Sequence, residues 1–127
     1  MDFLLTALKA AAEPTRLRLL ALCAHGELTV SELTQILGQS QPRVSRHLKL
    51  MAEAGLLSRY KEGSWVLFRL SENGRGAALG RAIVDLLPGS DPVLVSDIAR
   101  MEEIRCALEC GGFGHVALRS QGTEVRR

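Results

Sequence analysis

Two kinds of residue in this 127-residue chain have types and spacing that allow chemistry: a pair of thiols, Cys106 and Cys110, and a run of cations around Arg43, Arg46 and Lys49. Thiols four residues apart on a helix share a face. As thiolates such a pair can hold an arsenite-like metalloid or another soft metal ion, and it can also be oxidised. Cys23 is the third thiol. For all three the plain alternative is a small buried hydrophobe. His25, His47 and His115 show no metal-ligand spacing among themselves. Catalysis finds no footing, because the chain has no Gly-rich phosphate loop, Ser elbow or His–carboxylate cluster. Gly111-Gly112-Phe113-Gly114 follows a helical stretch rather than joining a strand to a helix, so it is a poor nucleotide motif. The expectation is a protein that is not an enzyme.

The cations suit a different chemistry. Arg is matched to guanine and Gln to adenine when a helix N-terminus enters the major groove. The polar positions near the start of the helix that carries the run are Ser40, Gln41, Arg43, Ser45, Arg46, His47 and Lys49. Taken alone they also fit a solvated charged face, and His47 could cap or pack instead of touching DNA. A second set, Arg59, Lys61, Ser64 and Arg69, flanks a hairpin tip. There cations can lie on backbone phosphate or in the minor groove, or merely protect a strand edge. Trp65 is expected to pack where the hairpin meets the core. The net charge of +2 says little about partners, so the placement of charge carries the reading.

The elements that must position these residues are legible from periodicity and breakers. Phe3, Leu4, Leu5 and Leu8 give a short amphipathic helix over 2–11. Glu13-Pro14 interrupts it, and a second helix runs from Pro14 to about His25, ended by Gly26. Thr29-Val30-Ser31-Glu32 is a capping box that opens a third helix to Leu37, stopped by Gly38. Ser40 and Pro42 start a fourth, whose Val44, Leu48 and Met51 face inward before Gly55. Two short helices about a tight Gly turn are a helix-turn-helix. The runs 56–61 and 65–70 around Glu62-Gly63-Ser64 read as a hairpin. Ser71 is placed as the cap of a fifth helix from about Glu72 to Leu87, weakened by Gly74, Gly76 and Gly80. After Pro88-Gly89-Ser90-Asp91-Pro92 a sixth helix runs from about Val93 to Cys110, with Leu94, Ile98, Met101, Ile104 and Leu108 on one stripe.

Leu8 through Leu70 resembles the ArsR-type (ArsR/SmtB) family of winged helix-turn-helix regulators. The stretches that carry the resemblance are ALKAAAEPTRLRLLALC, GELTVSELTQILGQSQPRVSRHLKLMAEAGLL and YKEGSWVLFRLS, about half the chain, in order. The resemblance implies a homodimeric repressor, of a kind often released from DNA by a metal, metalloid or thiol-reactive signal. It also implies checks on sensing sites. Where one class of the family places Cys-Val-Cys on the third helix, this chain has Thr29-Val30-Ser31. Where another places Asp and His on the fifth, it has Asp85 and no histidine. Cys23 lies late in the second helix, where some thiol-sensing relatives carry a reactive cysteine. Residues 91–105 more loosely resemble the joint in relatives fused to an S-adenosylmethionine-dependent methyltransferase, for which the present chain is too short.

The expected fold is mainly α with a β-hairpin wing, about six helices, dimeric. Residues 1–87 form the winged helix-turn-helix with an N-terminal dimer helix, 88–110 a C-terminal dimerisation helix, and 111–127 a flexible tail. Leu4, Leu5, Leu8, Ile98, Met101, Ile104 and Leu108 are the candidate dimer contacts, and Cys106, Cys110 and Cys23 the candidate sensing residues. The expected partners are a second copy and double-stranded DNA with two-fold symmetry, the function repression relieved by a thiol-reactive signal or soft metal. Alternatives are a regulatory fragment of a methyltransferase fusion and a winged-helix interaction module without DNA binding. The N-terminus has no signal-peptide pattern and no apolar run nears the roughly 18 residues of a membrane span, which points to the cytoplasm and to reduced thiols.

Overall fold

The computed structural model describes residues 1–110, with side chains through residue 107. Leu108, Cys110 as a thiol, and the tail 111–127 therefore lie outside the described side chains. The order is α1 (Asp2–Ala11), α2 (Pro14–Cys23), β1 (Leu28–Thr29), α3 (Val30–Leu37), α4 (Gln41–Glu53), β2 (Leu57–Glu62), β3 (Trp65–Leu70), α5 (Gly74–Leu86) and α6 (Pro92–Cys110).

The local signals that start and stop the first four helices work as physical chemistry requires. Pro14 sits in the first turn of α2, and the Glu13 carboxylate before it accepts the Arg16 backbone N–H at 2.9 Å. Thr29 and Glu32 form a reciprocal capping box: the Glu32 N–H donates to Thr29 Oγ1 at 3.1 Å, and the Thr29 N–H to Glu32 Oε1 at 2.8 Å. Gly38 takes φ +68°, the left-handed turn that ends α3 and lets α4 start at an angle to it. Ser40 precedes α4 as expected, but its side chain makes no capping hydrogen bond. The core is almost purely aliphatic, with Leu19 and Leu20 of α2, Leu33 and Ile36 of α3, and Val44 and Leu48 of α4 among its fully buried residues.

The hairpin is joined by a strand that the sequence does not announce. β1 pairs antiparallel with β3, giving the order β1-β3-β2, in the register Leu28↔Phe68 and Thr29↔Leu67. Two residues are too few to show an alternation. Trp65 departs from its expected packing role: it is 40% exposed, because it pairs with Glu62 at the turn end of the hairpin, beyond the core.

Two expectations for the C-terminal helices are corrected. α5 begins at Gly74 rather than Glu72, with Asn73 before it. Ser71 is not its cap; its Oγ donates to the Gly55 carbonyl at 2.7 Å, while Glu72 pairs with Arg69 at 2.8 Å. One glycine of α5 has a packing reason: Gly76 lies against the Gly55 carbonyl so closely that a Cβ would overlap it. α6 is not a free amphipathic element. Met101, expected at a dimer contact, is 1% exposed in the protomer's own core, and Ile98 and Ile104 are half-buried against that core. The reason is the packing of α6 along α2 and α3, fastened by polar contacts. Buried Asp97 receives two hydrogen bonds from Arg18, at 2.8 and 2.9 Å. Arg100 donates to the Ile36 carbonyl at 3.0 Å, and Arg105 to that of His25 at 3.4 Å. Asp91 caps the helix, accepting the Val93 N–H at 2.9 Å.

Candidate nucleic-acid interface

α4 is a helix with three functional sides. Val44, Leu48 and Met51, spaced by four and three, are fully buried and seat it. Gln41, Ser45 and Lys49, spaced by four, turn toward the wing. There they line a cleft of about 540 Å³ together with Arg59, over a floor that includes Val30, Ala52, Val66 and Phe68. Ser40, Gln41, Arg43, Arg46 and Lys49 are exposed, and Ser45 is half-buried. The fold therefore brings the basic run of the helix and the first cation of the wing to one concave surface, from positions far apart in sequence. Lys61 and Ser64 are also exposed, farther out toward the hairpin tip.

Two cations named from the sequence are used differently from the rest. Arg69 is tied down at the root of the wing: it pairs with Glu27 at 3.3 Å and Glu72 at 2.8 Å, and lies 4.4 Å from the centre of the Tyr60 ring. His47 turns back toward α2, where its Nδ1 accepts a hydrogen bond from Arg16 Nε at 3.1 Å. Burial is the main cause that lowers the His47 pKa below its ordinary value; the Glu13 carboxylate opposes this, and Arg16, Arg43 and Arg46 add to it. The imidazole is accordingly neutral, and the 3.9 Å approach of Glu13 Oε2 to Nδ1 is not an ion pair. Glu13 itself is raised by burial, yet the backbone N–H groups of Arg16 and Thr15, with the Arg16 guanidinium as a nearby charge, bring it below the usual carboxylate value. Arg16 and Thr15, which accepts a hydrogen bond from Gln39 at 3.2 Å, are supports that sequence reasoning missed. Their partners lie 24 and 31 residues away, so no local pattern reveals them.

The thiols are separated by environment. Cys23 is buried, and burial pushes its pKa up to about 12, so it is no nucleophile in the folded chain. Cys106 is exposed on α6. Among the described residues no three His, Cys, Asp or Glu side chains cluster as a metal site, and no helix is long and apolar enough to cross a membrane.

A profile of the bacterial regulatory proteins of the arsR family matches residues 13–59, from the cap of α2 into β2. HlyU from Vibrio cholerae N16961 superposes with a TM-score of 0.59 at 32% identity, over 67% of this chain and 91% of that one. The chain belongs to the ArsR family. It is a winged helix-turn-helix in which α3 and α4 are the helix pair and β2–β3 the wing. The arsenical resistance operon repressor of Escherichia coli K12 is 49% identical over 74 residues, which are 56% of this chain and 63% of the repressor. A homodimeric winged helix-turn-helix DNA-binding domain from Mycobacterium bovis, described as a possible ArsR-family regulator, superposes with a TM-score of 0.59 at 27% identity. It matches 65% of this chain and 75% of that one. The chain spans 49–63% of the length of the arsenic-resistance relatives it matches. Within this ArsR-family member, the third-helix position where a thiol is missing has another use: Thr29 is buried and its hydroxyl caps α3.

Proposed function

We propose that the chain acts as a homodimeric, DNA-binding transcriptional repressor. The observation that carries this reading is the concave surface formed by Gln41, Ser45 and Lys49 of α4 with Arg59 of the wing, beside exposed Arg43 and Arg46. In this reading Ser40, Gln41, Arg43, Ser45, Arg46 and Lys49 meet base edges and phosphates in the major groove, while Arg59, Lys61 and Ser64 flank the adjoining backbone. His47 is removed from the reading set.

Dimerisation falls to α1. Leu4, Leu5 and Leu8 are 43–48% exposed on one side of it, an apolar face that a second copy would cover. With Met101 buried in its own protomer and Ile98 and Ile104 half-buried there, the share of α6 in the interface falls to its other side, where Val93 and Val95 are about half exposed. Two reading helices so joined would meet successive major grooves roughly 34 Å apart on a two-fold operator. For release, the reading places the signal at Cys106 and Cys110, four apart near the end of α6, as a thiol-reactive agent or a soft metal or metalloid ion. Support comes from the exposure of Cys106 and from the fastening of α6 to α2 and α3, which gives a disturbance there a route to the helix pair.

The test is selection of bound sequences from a random duplex pool, followed by fluorescence anisotropy on the selected site with and without arsenite. Selection of a palindromic site, bound by a dimer and released by arsenite in a Cys106- and Cys110-dependent way, is the expected result. Enrichment of no sequence would remove the DNA-binding reading.

A further inference from the structure

Arg16 touches three elements at once. Its Nη1 donates to the Ala10 carbonyl at the end of α1 at 3.2 Å, its Nε donates to His47 Nδ1 on α4 at 3.1 Å, and its own backbone N–H is held by Glu13. The Ala10 carbonyl is one of the last four of α1, which have no partner within the helix, and a cation at that end is favourable. We infer that Arg16 and His47 are positioning residues: a strut that sets the roll of the reading helix against α1, so that the geometry of the dimer helix is transmitted to the reading face. This rests on the proposed DNA-binding function and deepens it. The strut enters from the side of α4 opposite the wing cleft, beside a shallow groove where Thr6 and Lys9 of α1 meet Leu50 and Glu53 of α4 around Arg16.

The strut requires an imidazole of one form. Nδ1 must be a lone pair to accept from Arg16, so the proton of neutral His47 sits on Nε2. The charged groups that face it are Glu13 and Arg16 from α2 and Arg43 and Arg46 from α4, with Lys9 of α1 lining the adjoining groove. Protonation of Nδ1 removes the acceptor and sets an imidazolium against a guanidinium. Because the folded value lies below the ordinary 6.5, the contribution is fully present above that pH and is lost as pH falls below it.

The experiment has two arms. In the free full-length chain, nitrogen NMR of His47 should show the Nε2-protonated tautomer at pH 7.5; the Nδ1-protonated form would overturn the strut outright. In the second arm, affinities for a selected site and for random duplex are compared at pH 8 and 5.5 and constant ionic strength. The wild-type ratio should fall on acidification as His47 gains its proton, by up to about five-fold, the scale of one part-buried hydrogen bond. His47→Leu should show that lower ratio at both pH values. His47→Asn, whose Oδ1 can stand in for Nδ1 without titrating, should hold the ratio high and pH-independent. A thermal melt of each variant separates misfolding from misplacement, and Arg16→Lys, which cannot span both acceptors, repeats the test from the other end. Equal ratios for wild type, His47→Leu and Arg16→Lys would overturn the proposal. A wild type that discriminates no sequence refutes the DNA-binding reading instead, and the proposal with it, an outcome distinct from discrimination that survives loss of the strut.

Discussion

Asp97→Ala is the substitution whose effect the structure fixes most tightly. Asp97 keeps 2% of its side chain in water and receives both Nε and Nη2 of Arg18, at 2.8 and 2.9 Å. The hydrogen bond to Asp97 in turn is the main cause that raises the Arg18 pKa above its ordinary value. Removing one member of such a buried pair costs about 3–5 kcal/mol, chiefly because the other charge is left without compensation. Arg18 retains 20% of its side chain in solvent, so it can recover part of its hydration. The lower end of the range, about 3 kcal/mol, is therefore expected. Against a total stability of about 5–15 kcal/mol this is a large fraction. It corresponds to a fall in Tm of about 11 °C at this size. Urea unfolding followed by circular dichroism, at one fixed protein concentration, measures it. Asp97→Leu with Arg18→Met should recover most of the loss, since the pair's desolvation cost disappears with its attraction. A loss below about 1 kcal/mol for Asp97→Ala, the worth of an exposed ion pair, would refute the claim that this contact fastens α6.

Five further outcomes are expected. Arg43→Ala and Arg46→Ala should each weaken binding to the selected site by roughly ten-fold or more and flatten its salt dependence by about one counterion; a titration from low to high salt checks both. Leu5→Asp should give a monomer that binds DNA poorly, read by sedimentation at micromolar concentration, because a charge buried without a partner is costly. An aromatic disulfide reagent at pH 7 should label Cys106 in the folded chain and Cys23 only on unfolding, since a thiol with pKa near 12 is ionised to roughly one part in 10⁵. With its folded value raised above 9.0, Cys23 supports stability fully below that pH and withdraws the support as pH rises toward 12, a loss that Cys23→Ala should abolish in alkaline melts. Gly76→Ala should destabilise by about 1–3 kcal/mol through its clash with the Gly55 carbonyl, measured by the same melts.

Most of the fold was legible because its devices are local. The capping box at Thr29 and Glu32, the left-handed Gly38 and the inward Val44, Leu48 and Met51 each act within one or two turns of helix. The reading face followed from them, since a helix whose buried side is known has its exposed side known as well. What was not legible depends on distant partners. Nothing around His47 distinguishes it from Arg46 until Arg16, 31 residues away, is seen to hold it. The stripe of Met101 and Ile104 announces burial correctly but cannot say against what, and the neighbours turned out to be α2 and α3 of the same chain. Ser71 looked like a helix cap because capping chemistry is also the chemistry of any hydroxyl near a bare carbonyl, here that of Gly55.

The short strand β1 has a consequence for how the chain folds. Pairing Leu28 with Phe68 and Thr29 with Leu67 closes residues 28–68 into a ring that holds the whole helix-turn-helix and wing. The hairpin β2–β3 and the turn between α3 and α4 can each form from neighbours, but the ring shuts only when the far side of the hairpin returns to the residue that caps α3. Closing such a loop carries an entropy cost that local contacts do not share, so this step is placed late and close to the rate-limiting barrier. Once shut, the ring makes the unit cooperative: the wing cannot peel away without exposing the start of α3. Amide exchange at Leu28 and Thr29 should then follow global unfolding rather than local fraying, and a backbone cut in the exposed turn at Gly38 should leave both pieces held together.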